Sequence, residues 1–213
     1  MKFLEILNKC LYELNSRQVN NFAELTKNEH KRLLSAINVV NKELCHIEDW
    51  NFLLKRTSVG LPAQTPEPEI TISGKILHIF IDNEEYTYTD NLKPFLENKN
   101  QNVKKYSLIG KTLLFPEFDK DKTLDIVYYT NNCAKDEEGI EKEDLETEND
   151  ESLIPMPFAE QLLVYGACLR TKANPQYFKF SYWLSMYKEA LLNLKSKSLI
   201  SVQGAPMINI FRV

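Results

Sequence analysis

Gly110-Lys111-Thr112 spells the last three residues of a phosphate-binding loop, GxxxxGK[ST]. The first glycine of that loop would fall where Lys105 stands, and Leu113, Leu114 and Phe115 continue as a strand. A phosphate loop opens a helix, whose N-terminal amides hold the phosphates. A hairpin turn therefore accounts for the triplet, and nucleotide chemistry is not expected. Asp119, Asp121 and Asp125 resemble scattered calcium ligands, but an EF-hand loop needs Gly sixth and Glu twelfth. Those places hold Leu124 and Thr130, so a solvated turn between strands is the better reading. His30, His46 and His78 share no metal-ligand spacing, and Cys45-His46 is a lone adjacent pair. There is no GxSxG elbow and no recognisable serine–histidine or cysteine–histidine nucleophile pattern. The expectation is a protein that is not an enzyme and holds no metal or cofactor.

Charge and composition point the same way. Against 26 Lys and Arg stand 30 Asp and Glu, a net charge of −4, where a protein held by phosphates shows a basic balance. No apolar run approaches the ~18 residues of a membrane span. The start, Met1 to Leu7, opens like a signal peptide, but Glu5 and Lys9 interrupt it and no small-residue cleavage site follows. It reads as an amphipathic helix. Cys10, Cys45, Cys133 and Cys168 stand far apart with no CxxC pair, which suits free thiols in a reducing cytoplasm.

The residues that remain are suited to binding. Tyr182, Trp183 and Met186 lie off the apolar stripe of their helix, and their large amphipathic surface suits a subunit interface. Trp50 and Phe52 follow directly on a helix and read as a plug between the helices and the β insert. Residues 198–213 carry Val202, Met207, Ile208, Ile210, Phe211 and Val213, although chain ends are usually polar. An apolar end implies docking, in its own fold or on another subunit, and strand addition to an exposed sheet edge is one mode. Residues 136–151 hold ten Asp and Glu with Lys142 alone opposing them. Such a block repels itself and reads as a mobile solvated loop, or as a face toward a basic partner or passing DNA.

These residues need elements to hold them. Phe3, Leu4, Leu7, Leu11 and Leu14 recur at helical spacing. Thr26 and Glu29 match a T-x-x-E capping box before a second helix with Leu33, Leu34, Ile37, Val40, Leu44 and Ile47 on one face. Pro62, Pro66 and Pro68 then enforce extended chain. Hairpins are expected over 70–81, turning at Ser73-Gly74, and over 106–115, turning at Gly110-Lys111, with strands over 86–89 and 124–129. Helical period returns after Pro155 and Pro157 with Phe158, Leu162, Tyr165 and Leu169, where Gly166-Ala167 admits a close neighbour. Asn174-Pro175 reads as the cap of a last helix, with Tyr177, Phe180, Leu184, Tyr187, Leu191 and Leu194 in register. The fold class expected is α+β: an antiparallel helix bundle (1–56 and 153–197) with an inserted antiparallel β domain (57–135), an acidic loop (136–152) and an extended C-terminal tail (198–213).

In this order of elements the chain resembles the head-to-tail adaptor family of tailed bacteriophages, which includes the tail tubular protein A of short-tailed phages and ring proteins of crAss-like phages. The matching residues are Trp50-Asn51-Phe52-Leu53, Tyr106-Ser107-Leu108-Ile109-Gly110-Lys111-Thr112-Leu113 and Leu124-Asp125-Ile126-Val127-Tyr128-Tyr129. Leu153-Ile154-Pro155-Met156-Pro157-Phe158 and the stretch 183–191 resemble the family's last two helices. The acidic run and the Pro-rich stretch before the β insert depart from its pattern. The resemblance implies a structural virion protein at the head–tail junction, a dodecameric ring beneath the portal protein. Such a ring extends the channel through which double-stranded DNA passes without sequence-specific binding, and it offers a platform to the next tail or ring protein. A DNA-binding regulator is the alternative, since the N-terminal helices imitate a helix-turn-helix, though Lys31-Arg32 is a thin basic patch.

Overall fold

A computed structural model describes residues 1–63, 72–96, 104–110 and 112–200. The order is α1 (Phe3–Glu13), α2 (Asn28–His46), β1 (Leu54–Leu61), β2 (Gly74–Ile81) and β3 (Glu84–Tyr88). Then come one helical turn, α3 (Lys93–Leu96), β4 (Lys105–Ile109), β5 (Thr112–Leu114) and β6 (Lys122–Thr130). Three two-residue strands follow, β7 (Ala134–Lys135), β8 (Glu141–Lys142) and β9 (Glu151–Ser152), before α4 (Phe158–Thr171) and α5 (Phe180–Ile200). The chain divides into two compact units, Met1–Phe52 with Asn132–Val213, and Leu53–Asn131.

In the first unit α4 is the central helix. It packs against α1, α2 and α5, and buries Phe158, Ala159, Leu162, Leu163, Val164, Ala167 and Cys168. Gly166 is what permits this on two sides: a Cβ there would lie 2.7 Å from Val40 on α2 and 3.0 Å from Tyr187 on α5. On α5 the buried positions are Trp183, Ala190 and Leu194, with Tyr187 half-buried between them, a run of four-, three- and four-residue steps. The apolar stripe of α5 is therefore rotated from the one expected, and Trp183 lies on it.

Two expected helix starts differ. Lys27, not Thr26, precedes α2, and no side chain caps it. Glu29 turns outward to the Lys172 ammonium at 3.5 Å instead of reaching back. The Asn174 carboxamide accepts the Gln176 amide at 3.0 Å, closing a local turn, and α5 begins only at Phe180.

The acidic run is folded, contrary to the loop expected. β7 pairs antiparallel with both β8 and β9. The Asn38 side chain on α2 makes two bonds to the Leu145 backbone, each 2.9 Å, and Lys42 meets Asp144 at 2.7 Å. The backbone oxygens of Asp150 and Glu148 accept the Phe3 and Leu4 amides at 2.8 and 3.0 Å, satisfying donors that the first turn of α1 cannot use itself. What the block loses in self-repulsion is offset by backbone donors and lysines that composition does not reveal.

The second unit is a six-stranded sheet in the order β1-β6-β2-β3-β4-β5. One face buries Leu61, Ile79, Ile81, Tyr106, Leu113, Phe115, Leu124 and Ile126. β2 and β3 turn on Asp82-Asn83, with φ of 50° and 67°, a left-handed pair that Asp and Asn tolerate. Gly74 belongs to β2, where a Cβ would meet the Tyr129 carbonyl at 2.1 Å, so it is a close-approach glycine rather than a turn. The partner strand expected before it falls largely outside the described residues. β4 and β5 form the hairpin that turns at Gly110, whose φ is 61°.

The expected fold class is overturned. β3 and β4 run parallel, which makes the large sheet mixed rather than antiparallel. The long helices share their unit with the three-stranded sheet and do not form a bundle alone. α5 runs on to Ile200, through the point where the tail was expected to begin. Alternation marks a strand but carries no direction, and the connection through α3 supplies the crossover that parallel pairing needs.

Candidate interaction surface

Glu13, in the last turn of α1, ties that helix to the start of α5. Its carboxylate accepts the Trp183 indole N–H at 2.9 Å and the Lys179 ammonium at 3.5 Å, and its backbone oxygen accepts the same ammonium at 2.7 Å. A cation at a helix C-terminus is favoured by the carbonyls that end there. Tyr177 stacks on the buried face of this arrangement, its ring 5.2 Å from Trp183, and Phe178 lies 4.8 Å from Tyr177.

Above Glu13 a groove of about 440 Å³ runs between α1 and α4, lined by Tyr12, Pro157, Gln161, Val164 and Tyr165, with a Lys9–Glu160 pair at 2.5 Å. Tyr165 meets Tyr182 edge-on, with rings 5.7 Å apart and hydroxyls 3.3 Å apart. Burial, and then the Tyr182 hydroxyl, push the Tyr165 phenol well above its ordinary value, so it stays neutral. The outward side is aromatic: Phe178 is 74% exposed, Tyr12 69% and Tyr182 50%. Aromatic anchors inside a rim of Lys and Glu have the anatomy of a protein–protein contact.

The residues expected to act are distributed unevenly. Tyr182 stands in this surface and Met186 is half-buried one turn along α5. Trp183 is fully buried, which corrects its assignment to an interface: it supports the surface from beneath. Trp50 is 1% exposed, donates to the Leu44 carbonyl at 2.6 Å and stacks on Phe52 at 5.8 Å, all within the first unit. Val202, Met207, Ile208, Ile210, Phe211 and Val213 lie outside the described residues. Glu13, Tyr12, Tyr165 and Phe178 were missed. Tyr12 carried a usable signal, since it sits off the Leu7–Leu11–Leu14 stripe of α1.

The residues weighed for catalysis or metal binding are apart. Asp121 accepts the Ala63 amide at 2.8 Å, while Asp125 is buried between Arg56 and Ser58 in the sheet. Among the described residues no group of three His, Cys, Asp or Glu is placed to hold a metal ion, and no helix is long and apolar enough to cross a membrane. All four cysteines are buried free thiols. No protein-family model matches the chain, and no curated protein matches it.

Proposed function

We propose that this chain is a structural subunit of the head-to-tail adaptor class, assembling into a ring between the portal protein and the next tail or ring protein of a tailed-phage virion. The observation that carries the reading is the exposed aromatic surface of Tyr12, Phe178 and Tyr182 over the Glu13–Trp183 support. A monomer gains nothing by holding three large aromatic side chains in water, whereas a ring needs a patch that meets a different patch on the next copy. In this reading the surface is the lateral contact with a second copy of the chain. Residues 201–213 supply an apolar segment for the portal. Double-stranded DNA passes through the ring without sequence-specific contacts, in keeping with a net charge of −4.

The test is sedimentation and particle imaging of the full chain, alone and mixed with a portal protein from the same genome. A closed ring, alone or on the portal, supports the reading. A monomer that ignores the portal at micromolar concentration overturns it.

A further inference from the structure

The four cysteines stand far apart in sequence, yet the fold gathers them into two facing pairs within the first unit. Between α1 and α4, the Cys168 thiol donates to the Cys10 carbonyl at 3.9 Å and the Cys10 thiol to the Val164 carbonyl at 3.8 Å. Cys45, in the last turn of α2, donates from its thiol to the sulfur of Cys133, which directly precedes β7. This second pair is fixed from several sides. The Cys133 carbonyl accepts the Asn41 carboxamide and the Leu153 amide, each at 3.0 Å, and its own amide donates to the Lys142 carbonyl at 3.1 Å. Asn41 and Cys45 lie one turn apart on the same buried face of α2, so the bond that anchors Cys133 also sets it beside Cys45. The chain between these two cysteines contains the whole second unit, Leu53–Asn131.

We propose that Cys45 and Cys133 are a latent disulfide, closed by exchange with a low-molecular-weight disulfide such as oxidised glutathione. The sulfurs are already in hydrogen-bond contact, so closing to a bond of about 2 Å takes side-chain rotation and no large backbone movement. In the first step the Cys133 thiolate attacks one sulfur of the reagent, a mixed disulfide forms and one glutathione thiolate leaves. The Cys45 sulfur then attacks Cys133 Sγ and expels the second. The reagent takes up the two electrons, and the two cysteine protons end on the two glutathione molecules. Cys133 is the attacking group because the hydrogen bond from Cys45, helped by the Lys42 ammonium, lowers its thiol against the effect of burial. The same bond and then burial raise Cys45, while burial and then Cys168 raise Cys10, which makes the α1–α4 pair the slower to react. Both sulfurs are buried, so exchange waits on opening of the last turn of α2, the kind of local fluctuation that helix ends undergo. Once closed, the bond encircles the second unit in sequence, and a long closed loop restricts the unfolded chain most. The device does not depend on the ring reading: it would operate in a monomer.

The experiment incubates the full folded chain with oxidised glutathione until its thiol content stops changing, alkylates what remains, and maps the peptides without reduction. The expected product is a Cys45–Cys133 cross-link, lighter by two hydrogens, in a chain that keeps its native amide spectrum. Its urea midpoint should rise and should return when dithiothreitol is added. Cys45→Ser should halt the sequence at its first step and hold glutathione on Cys133. Should that variant fail to fold, the map of the native chain decides alone. A folded chain that keeps all its thiols, or that joins Cys133 to a cysteine other than Cys45, overturns the proposal. So does a Cys45–Cys133 link that forms only after the chain is unfolded in urea.

Discussion

The run 136–151 and the stretch 177–187 are both rich in side chains that belong in water or at an interface, and each sends one of them inward. From the first it is Asp150, fully buried; from the second it is Trp183, fully buried as well. Their means differ. Asp150 is held by donors of its own segment: the Glu146 amide at 2.5 Å, the Thr147 amide at 2.8 Å and hydroxyl at 2.7 Å, and the Lys142 ammonium at 3.0 Å. Trp183 is held from a distance in sequence, by Glu13 on α1 and by its place on the buried stripe of α5. A local polar network folds a segment that looks disordered. A long-range contact chooses which aromatic side chain is core and which is surface.

The largest effect is expected at the long-range contact. Trp183→Ala should cost about 3–5 kcal/mol of stability in urea denaturation, since it empties a large buried volume and leaves Glu13 without its indole donor. Trp183→Phe should cost roughly half of that, because it keeps most of the packing and loses the hydrogen bond. If Trp183→Phe unfolds at the urea concentration of the native chain, the bond to Glu13 contributes nothing and the contrast with Asp150 fails.

Next comes the local network. Asp150→Ala strands two backbone amides and Lys142, and should cost about 2–4 kcal/mol by the same measurement. The pH dependence sharpens the point. Burial alone would raise the Asp150 carboxyl, but the Thr147 hydroxyl and amide, the Glu146 amide and the Lys142 ammonium outweigh it and hold it down at about 2. A carboxyl lowered on folding stabilises above its unfolded value and ceases to as pH falls through its folded one. The contribution is therefore complete above about pH 4 and gone by about pH 2, on the order of 2 kcal/mol. Stability curves at stepped pH should show this loss in the native chain and lack it in Asp150→Asn. An identical acid profile in the two would mean that other carboxylates carry it.

How much of this was legible follows the same division. The helices over 3–13, 28–46 and 158–171 and the hairpin that turns at Gly110 rest on local period and turn chemistry, and local signals located them. The stripe of α5 was misplaced because aromatic residues at 177, 180, 182, 183 and 187 satisfy more than one helical phase, and distant contacts such as that of Glu13 with Trp183 decide among them. The folding of the acidic run was hidden because its partners are backbone amides and Asn38, which composition does not count. The parallel β3–β4 pair was hidden because strand direction is not written in alternation. Of the three side chains expected off the α5 stripe, Tyr182 is exposed, Met186 half-buried and Trp183 buried, and Tyr12, off the stripe of α1, is exposed as well.

The smallest effect on stability, and the one that most sharply separates support from surface, is expected at Tyr182. Its ring is half exposed and its hydroxyl meets Tyr165 at 3.3 Å, a contact at the protein's edge. Tyr182→Ala should therefore change stability by less than about 0.5–1 kcal/mol. Self-association should respond quite differently, because exposed aromatic anchors dominate the energetics of contacts between chains. A loss of at least tenfold in self-association, read by sedimentation, is expected for Tyr182→Ala combined with Tyr12→Ala while the urea midpoint stays near that of the native chain. Trp183→Phe should do the reverse, lowering the midpoint with a smaller change in assembly. If the tyrosine pair lowers the midpoint as far as Trp183→Phe does and leaves association intact, the outward aromatics are part of the core after all, and the surface must be sought elsewhere on the molecule.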